Sequence, residues 1–495
     1  MHYRHRYSFL RAQVKLESRL AYESYLSRIN TSLQNDPHKF WSFINNRRNT
    51  SGIPNVMHYG DIIASDVDIA NLFALLFNSV YKSPLPSHIG MLKILALSHL
   101  HFCLLDLLLN LMRFKLVLST NQHGFYGGRS TTTSALEFSA FIRDSFKDRN
   151  QVDVIFTDIS KAFDSINHIV LIDILDRLGV GEPLLSWFKS YITGRRQFVS
   201  LFNQKSAEYL VTSGVPQGGH LSPLLFNILI NTLCESVDSK MLLFADDVKL
   251  FNCVQSESDA ILLQESLNKL VHWCNTVGLE LAIHKCKVMS FSRRHSIIQY
   301  DYSIDNVMLQ RINQVEDLGF IFTPTLSFAP HIDWIVFKAL RSLGFIRRHA
   351  GSVMSVKCLL ILYATLVRSI VEYGSVVWSP RTKCDIIRIE RVQHRFFSMV
   401  SRSMGINHEP HDYKPVLIAL NLSTLSERRN ISDIKLLNGL VSGVIDSPDL
   451  LSRIGFRIPG TTRSRDPYYL ASVSKNYLDD DPLRRAMSLV NSQTS

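Results

Sequence analysis

The pattern of apolar and polar positions predicts strands and helices in the middle of the chain. Residues 152–158 are a short, mostly apolar run typical of a buried strand, and the run ends at Asp158. A helical pattern follows and stops at Gly179. Further along, two apolar arms flank Ala245-Asp246-Asp247, which predicts a β-hairpin with the acids at its turn. The predicted elements thus place one acid at a strand end and two at a hairpin turn.

Helical patterns dominate both ends of the chain. Residues 1–35 are typical of an amphipathic helix, which is either a solvated surface helix or one that faces nucleic acid. From about residue 331, three helical runs interleave apolar residues with basic ones, among them Lys338, Arg341, Arg347 and Arg348. Such helices suit a domain that grips a nucleic-acid duplex by its phosphates. The alternative is a plain helical bundle with a solvated basic face.

The leucine-rich run over residues 91–112 is long enough to suggest a membrane span. It is interrupted, however, by polar and charged side chains, namely Lys93, His99, His101, Asp106 and Asn110. Charged groups near the centre of a bilayer are costly. We therefore expect a buried helix here and no contact with a membrane.

Composition narrows the class of protein. A chain of 495 residues is expected to form more than one compact unit. Its net charge of +11 favours a polyanionic partner, although such a surplus can also serve solubility alone. The seven cysteines include no Cys-x-x-Cys pair, which disfavours zinc knuckles and a disulfide framework. A reducing intracellular location, in cytoplasm and nucleus, fits this usage, and the basic N-terminus lacks the apolar stretch of a secretory signal.

The acid pair Asp246-Asp247 has two interpretations. Asp is common in turns, so an ordinary hairpin is one of them. Two adjacent carboxylates also repel each other unless a cation lies between them, and their hard oxygen atoms suit Mg²⁺. Because ligands gather at the carboxyl ends of strands, Asp158 is a candidate third ligand. Three carboxylates can share two metal ions, which stabilise the attacking and leaving oxygens of a phosphoryl transfer.

Between these acids lies a loop, Ser213-Gly214-Val215-Pro216-Gln217-Gly218-Gly219, followed by a helix that starts at Ser222-Pro223. Taken in order, the Asp158 block, the Pro-Gln-Gly loop and Phe-Ala-Asp-Asp resemble three motifs of the reverse transcriptase palm. The match is closest to non-LTR retrotransposons of the jockey type. Each motif alone is weak, but all three occur in order within about a hundred residues.

The resemblance implies an α+β fold, with a right-hand polymerase palm of antiparallel sheet and packing helices, then a helical thumb and C-terminal region. The implied activity is RNA-directed DNA polymerisation, with an RNA template, a DNA primer and deoxynucleoside triphosphates as partners. We expect four regions: an N-terminal helical connector (1–84), a leucine-rich segment (85–120), the palm (121–323), and the thumb and C-terminal region (324–495).

The resemblance also implies roles for individual residues. Asp158, Asp246 and Asp247, with the carbonyl of Ile159, would hold two Mg²⁺ ions, with Mn²⁺ as an alternative metal. Phe163 would stack under the sugar and exclude a 2′-hydroxyl, the alternative being a helix core residue.

Further residues are implied around the nucleotide. Gln217 and Gly218 would contact the nucleotide and template, and Lys285 would protonate or neutralise the pyrophosphate. The family's usual Asn near this lysine is replaced by Ala282. Arg129 is expected near template and nucleotide, or else is a surface cation. Supporting or capping roles are expected for Asp164, Ser222 and Asn227.

The resemblance covers residues 36–84 and 121 onward but fails in between, where family members carry a much longer fingers segment. The endonuclease that precedes the polymerase in such elements is not found. Three hypotheses follow: an active RNA-directed DNA polymerase, a non-catalytic nucleic-acid-binding remnant of such an element, or a degenerate chain with no function of its own.

Overall fold

The computed structural model describes residues 2–47, 58–59, 62–63, 65–81, 119–201, 203–349, 354–457, 466–472 and 481–494. The chain divides into two compact units. The helical unit comprises Met1–Asn55 and Phe328–Lys435, and the sheet unit comprises Val56–Ser327 and Leu436–Ser495. Most of the predicted leucine-rich segment lies outside the described residues, so the helix expected there stays a prediction.

This division differs from the predicted regions in two places. Residues 56–84 group with the sheet unit and not with the N-terminal helices, and residues 436–495 return to the sheet unit after the helical one. The pattern of apolar residues cannot predict which unit a helix belongs to, because a helix has the same periodicity whichever unit it packs on.

The strands of the sheet unit are mostly short. They are β1 (His58–Tyr59), β2 (Ile62–Ile63), β3 (Gln151–Thr157), β4 (Arg196–Gln197), β5 (Ser200–Leu201), β6 (Gln204–Lys205), β7 (Tyr209–Leu210), β8 (Lys240–Phe244), β9 (Asp247–Val254), β10 (Lys287–Phe291), β11 (Ser303–Ile304), β12 (Val307–Met308), β13 (Gln310–Arg311), β14 (Val315–Asp317) and β15 (Phe320–Phe322).

Five of these strands form the central sheet, in the order β13-β10-β3-β9-β8. Neighbours are antiparallel as predicted, except that the edge strand β13 runs parallel to β10. The middle strand β3 is buried along most of its length, in agreement with its apolar sequence. Its register with β9 pairs Thr157 with Val248, so the end of β3 lies beside the start of β9.

Helices with buried apolar faces pack on this sheet. The helix Glu257–Val277 has defined ends: Ser256 and Asp259 form a capping box at its start, and Gly278 ends it with a φ of 80°. The other helices of the unit are Asp66–Asn78, Thr131–Lys147, Ala162–Ser165, His168–Arg177, Leu184–Ile192, Ser222–Asn231, Pro448–Ser452 and Pro482–Thr494. Their shared core includes Leu171, Leu225, Leu263, Leu267 and Leu270, all without exposed surface.

The helical unit confirms the helices predicted at both ends of the chain. Of the predicted N-terminal apolar face, Leu26 is buried, whereas Val14, Leu16 and Leu20 are exposed. Its helices and helical turns are His2–Asn35, Pro37–Arg47, Ala329–His349, Val356–Tyr363, a π-helical turn Ala364–Arg368, Ser369–Glu372, Ser375–Trp378, Lys383–Met404, Lys414–Leu420 and Leu425–Val441, the last of which continues into the sheet unit. Among the helices of the described ranges, none has the length and apolar character required to cross a bilayer.

Candidate active site

The acid pair lies at the turn between β8 and β9. Phe244 pairs with Asp247, so the turn has only two residues, Ala245 and Asp246, and Asp247 is already the first residue of β9. The prediction had all three residues in the turn. Ala245 has a φ of 55°, a left-handed conformation that two-residue hairpins require but that costs a non-glycine residue free energy.

The strained turn is held by a neighbouring segment. Gln122 forms a parallel bridge with Leu243 of β8, and its buried side chain reaches the turn. Gln122 Oε1 accepts hydrogen bonds from the backbone N–H groups of Gly124 (2.7 Å) and Ala245 (3.0 Å). A Cβ at residue 124 would clash with the nitrogen of Ala245, so glycine is required there. The turn is thus held by a side chain more than a hundred residues away in sequence.

Asp158 follows β3 directly, as predicted. Its carbonyl accepts a hydrogen bond from the N–H of Ala282 (2.8 Å), and Ile159 forms a bridge with Leu281. The backbone around Asp158 is therefore fixed by the segment that carries Lys285. At the Ala282 position, where the family usually has Asn, the chain still provides the backbone donor.

Lys285 pairs with the first of the predicted carboxylates. Its Nζ lies 3.0 Å from Asp158 Oδ2, and both side chains are partly exposed. This contact raises the pKa of Lys285, so the ammonium form is favoured. The pKa of Asp246 is raised by burial and by the nearby Asp158 carboxylate, while Lys285 counteracts that rise. Lys285 therefore partly neutralises a cluster of negative charge.

The pKa of Asp247 is shifted further than that of Asp246. Although its side chain is solvent-exposed, the surrounding protein and then the carboxylates of Asp246 and Asp317 raise its pKa to about 6. Lys249 counteracts the rise and lies behind Asp247 on the same face of β9. The Nζ of this buried lysine is 2.6 Å from Asp317 Oδ2, and the pair was not foreseen from the sequence.

The chemistry of this cluster fits a divalent cation. A positive ion reduces the repulsion between carboxylates that raise one another's pKa, and carboxylate oxygens are the ligands that Mg²⁺ prefers. As the described side chains stand, no three His, Cys, Asp or Glu residues are gathered closely enough to enclose an ion. The donor types therefore match a metal site, while Lys285 is the cation paired with Asp158 in this structure.

The Pro-Gln-Gly loop is tied to the segment that follows Asp158. Gln217 Nε2 donates to both carboxylate oxygens of Asp164, at 2.8 and 2.9 Å. The N–H of Val215 donates to the carbonyl of Phe163 at 2.9 Å. Gly214 has a φ of 82°, and a Cβ there would lie 2.7 Å from the backbone of Asp164. Gly218 also has a positive φ, of 79°, but faces open space. Asp164 thus supports the loop, as one of its two predicted roles required.

Phe163 packs against two other aromatic rings, and its role as a steric gate stays a prediction. One face stacks on the buried Phe226, with ring centroids 4.5 Å apart, and Phe125 meets it edge-on at 6.2 Å. The ring is nevertheless only half-buried. Packing fixes its orientation while part of its surface faces solvent, as a steric gate requires.

Arg129 is neither a surface cation nor available to a nucleotide in this structure. Its side chain is 3% exposed and pairs with Asp446 Oδ2, through Nη2 at 3.1 Å and Nε at 3.2 Å. Its Nη1 donates to the carbonyls of Thr120 and Gln122, the latter at 3.1 Å. Arg129 thus makes structural contacts that the sequence did not predict, while its contact with template or nucleotide stays a prediction. The sequence offered no signal for Asp446, which is 317 residues away.

Two other expected supporting residues bind backbone. Ser222 Oγ donates to the carbonyl of Pro216 at 2.5 Å, which anchors the Pro-Gln-Gly loop. Asn227 Nδ2 donates to the carbonyl of Gly124 at 2.8 Å, next to Gln122. The sequence analysis assigned no role to Gln122, because its burial and its contact with the turn are visible only in the structure.

The predicted nucleic-acid-binding residues lie within the helical unit. Lys338, Arg341, Arg347 and Arg348 are all exposed on the helix Ala329–His349. A groove of about 710 Å³ between this helix and Lys383–Met404 is lined by three arginines, Arg347, Arg395 and Arg402, together with Leu340, Leu343, Gly344, Ser398, Met399 and Ser403. Arg347 thus lies in a groove with two further exposed arginines, Arg395 and Arg402, which are not among the four residues predicted to bind nucleic acid.

Comparison with known proteins agrees with this site. The family model described as "Reverse transcriptase (RNA-dependent DNA polymerase)" matches residues 103–322. The match includes Asp158, the Pro-Gln-Gly loop and the acid pair. It begins at residue 103, so part of the leucine-rich segment that we expected to lie outside the resemblance falls within it.

Two of the curated relatives come from mobile elements of Drosophila melanogaster. The probable RNA-directed DNA polymerase from transposon BS is 28% identical over 58% of this chain and 33% of the relative. The RNA-directed DNA polymerase from mobile element jockey is 24% identical over 68% of this chain and 38% of the relative. This chain thus spans only about a third of the length of these relatives.

Among solved structures, a telomerase from Candida tropicalis in complex with a TWJ fragment of telomeric RNA is 14% identical, with a TM-score of 0.38, over 83% of this chain and 60% of that one. The sequence matches show that residues 103–322 are similar to reverse transcriptase domains, including those of non-LTR retrotransposons, in agreement with the predicted resemblance.

Proposed function

We propose that this chain catalyses RNA-templated DNA synthesis by nucleotidyl transfer. The observation that carries the proposal is the juxtaposition at one end of the central sheet: Asp158 at the end of β3, Asp246 and Asp247 at the start of β9, and Lys285 paired with Asp158. Sequence matches to reverse transcriptases support the reaction class. Template, primer and deoxynucleoside triphosphate are the substrates this reaction requires.

The three carboxylates and the carbonyl of Ile159 would hold two Mg²⁺ ions, with Mn²⁺ as an alternative. Bound divalent ions lower the pKa of an attacking hydroxyl and neutralise charge on a leaving pyrophosphate. The chain's own contribution is to present ionised oxygens on a rigid turn. Because Asp247 has a pKa raised to about 6, it is ionised at neutral pH but holds its proton more tightly than an ordinary Asp.

The remaining residues would position the substrates. Lys285 lies next to Asp158, and its flexible ammonium group could leave this carboxylate to bind a phosphate group of the nucleotide. Phe163, stacked on Phe226, would discriminate against a ribose 2′-hydroxyl. Gln217, oriented by Asp164, and Gly218, whose Cβ position is open, would lie along the nucleotide and template.

The test is primer extension by the purified full-length chain on an RNA template, with deoxynucleotides and Mg²⁺. We expect template-dependent extension that Asp158→Asn abolishes. In intact relatives a longer fingers segment precedes the palm, so we expect slow extension here. Extension that is unchanged in Asp158→Asn would overturn the assignment of the carboxylates.

A second candidate function is nucleic-acid binding without catalysis. The observation that favours it is the groove with Arg347, Arg395 and Arg402, which lies wholly within the helical unit and needs no carboxylate. Guanidinium groups bind phosphate oxygens in a bidentate manner. Tight, salt-sensitive binding of a primer–template without any extension would favour this candidate over the first.

A further inference from the structure

The strained turn at Ala245 depends on a support that itself needs anchoring. Gln122 holds the turn through its side chain, and residues 121–123 pair with β8 through two backbone hydrogen bonds of 2.8 and 2.9 Å to Leu243. Among the residues that the structure describes, the supporting segment, residues 119–124, is a loop that bridges to β8 and has no strand on its other side. A loop of this kind keeps a fixed position only when side chains hold it.

One anchor runs from Gln122 through Arg129 to Asp446. The guanidinium of Arg129 donates to the carbonyl of Gln122 on one side and to Asp446 Oδ2 on the other. The backbone N–H of Asp446 also donates to the carbonyl of Gly128 at 3.0 Å. Because the Arg129 side chain is almost fully buried, loss of the Asp446 carboxylate would remove its ion-pair partner from a largely desolvated cation, which is unfavourable.

A second anchor joins His123, which follows Gln122, to Ser447, which follows Asp446, through the side chain of Glu137. The ring of His123 is fully buried, and its Nε2 lies 3.2 Å from Glu137 Oε2. Ser447 Oγ donates to the other oxygen, Glu137 Oε1, at 2.5 Å. Burial raises the pKa of Glu137, but the contacts with His123 and Ser447 outweigh it, so the pKa is lowered overall. Adjacent residues 446 and 447 are thereby joined to adjacent residues 122 and 123 through two independent side chains.

We propose that Asp446 and Ser447 are positioning residues for the catalytic carboxylates, and that they act through Arg129 and Glu137 on the segment that holds the β8–β9 turn. The segment that begins at Leu436 is therefore a working part of the polymerase, although it lies beyond residue 322, where the family match ends. The catalytic consequence rests on the proposed function, whereas the mechanical linkage does not.

The proposed linkage has a physical reason. A residue held at a φ of 55° relaxes when its support is lost, and the carboxylate of Asp246 follows it directly in the chain. Displacements of about 1 Å at reacting groups cost roughly 10²-fold in rate. A support that fixes the turn to within a fraction of that distance is therefore required for the reaction, even though none of its residues touches substrate.

Amide hydrogen exchange on the full-length chain tests the linkage without metal or substrate. In Asp446→Asn we expect exchange of a peptide covering residues 241–247 to be at least about 10-fold faster than in the wild type. The matched control is Arg453→Gln, which breaks the pairs of Arg453 with Asp144 and Asp449 in the same C-terminal segment. That control should leave exchange at residues 241–247 unchanged. Equal exchange in Asp446→Asn and wild type, or equal acceleration in both variants, would overturn the proposal.

Extension kinetics then separate positioning from general stability. We expect Asp446→Asn to lower kcat by about 10-fold, with the Kd for primer–template unchanged and with partial rescue in Asp446→Glu. A fall in kcat of the same size in Arg453→Gln would contradict a positioning role. Exchange at residues 241–247 could be faster in Asp446→Asn although neither the wild type nor any variant extends primers. In that case the linkage stands and the proposed function fails. If wild type extends primers and Asp446→Asn leaves the turn protected, the function stands and this inference fails.

Discussion

The carboxylate site of the sheet unit and the arginine groove of the helical unit are built in opposite ways. At the carboxylate site, backbone hydrogen bonds and buried side chains such as Gln122 hold the backbone next to Asp158 and Asp246 in place. In the groove, Arg347, Arg395 and Arg402 are exposed on two helices. Chemistry requires fixed geometry, whereas attraction of a polyanion requires only charge at the right distance. Substitutions should therefore have abrupt effects at the first site and graded effects at the second.

The largest expected effect is at the turn. Asp246→Asn keeps the shape of the side chain but removes its charge. We expect the single-turnover extension rate to fall by at least about 10³-fold, while the Kd for primer–template changes less than about twofold. Rapid-quench extension and fluorescence anisotropy measure the two quantities. Comparable losses in rate and binding would show that the two regions are not functionally separate.

The next effect concerns the groove. Each of Arg347→Gln, Arg395→Gln and Arg402→Gln should weaken primer–template binding and lower the slope of log affinity against log salt by about one. Extension at saturating primer–template should stay near the wild-type rate. Lys357→Gln, which removes a charge from another exposed position of the helical unit, is the matched control and should leave the slope unchanged. An unaltered slope in all three arginine variants would place the phosphate contacts elsewhere.

A smaller effect is expected for sugar selection. Phe163→Val removes the exposed edge of the ring, so the incorporation of ribonucleotides relative to deoxynucleotides should rise about 10-fold. Because Phe163 also stacks on Phe226, the melting temperature should fall as well. A lower melting temperature with an unchanged incorporation ratio would identify the ring as core packing alone.

The smallest effect is on stability and follows from Asp247. Its pKa in the folded protein, about 6, lies above the ordinary value of 3.8, so the folded state binds the proton more tightly than the unfolded state. This group's contribution to stability therefore decreases as pH rises from about 4 to about 6. Without metal at pH 7.5, Asp247→Asn should raise the melting temperature by about 2 °C, an amount reduced by solvent screening. At pH 3.5 the two proteins should melt together, and a stabilisation that persists there would contradict the charge-based explanation.

The sequence predicted well the elements that carry the three carboxylates, because the signals for those elements are local. A strand that ends in Asp158, a hairpin that carries Asp246 and a Pro-Gly loop each leave a pattern within ten residues or so. The helices with Lys338 and Arg341 were predictable for the same reason. Even the error of one residue in the turn reflects a local ambiguity, since Asp247 suits a turn and a strand start equally.

The ion pairs that support the site could not be predicted, because they join residues distant in sequence. Arg129 meets Asp446 across 317 positions, and Lys249 meets Asp317 across 68. No periodicity or turn signal records such pairs. Arg129 was therefore interpreted through its neighbours, as a substrate contact or a surface cation, and its pairing with Asp446 was missed.

Metal binding is the most direct test of the central claim, that Asp158, Asp246 and Asp247 form one cation site. Titration of the full-length chain with Mn²⁺, followed by electron paramagnetic resonance, measures it without substrate. We expect the wild type to bind Mn²⁺, and Asp158→Asn and Asp246→Asn each to weaken binding by at least about 10-fold. Asp317→Asn, whose carboxylate pairs with Lys249 behind the site, should weaken binding much less. Equal Mn²⁺ affinity in wild type, Asp158→Asn and Asp246→Asn would contradict the account.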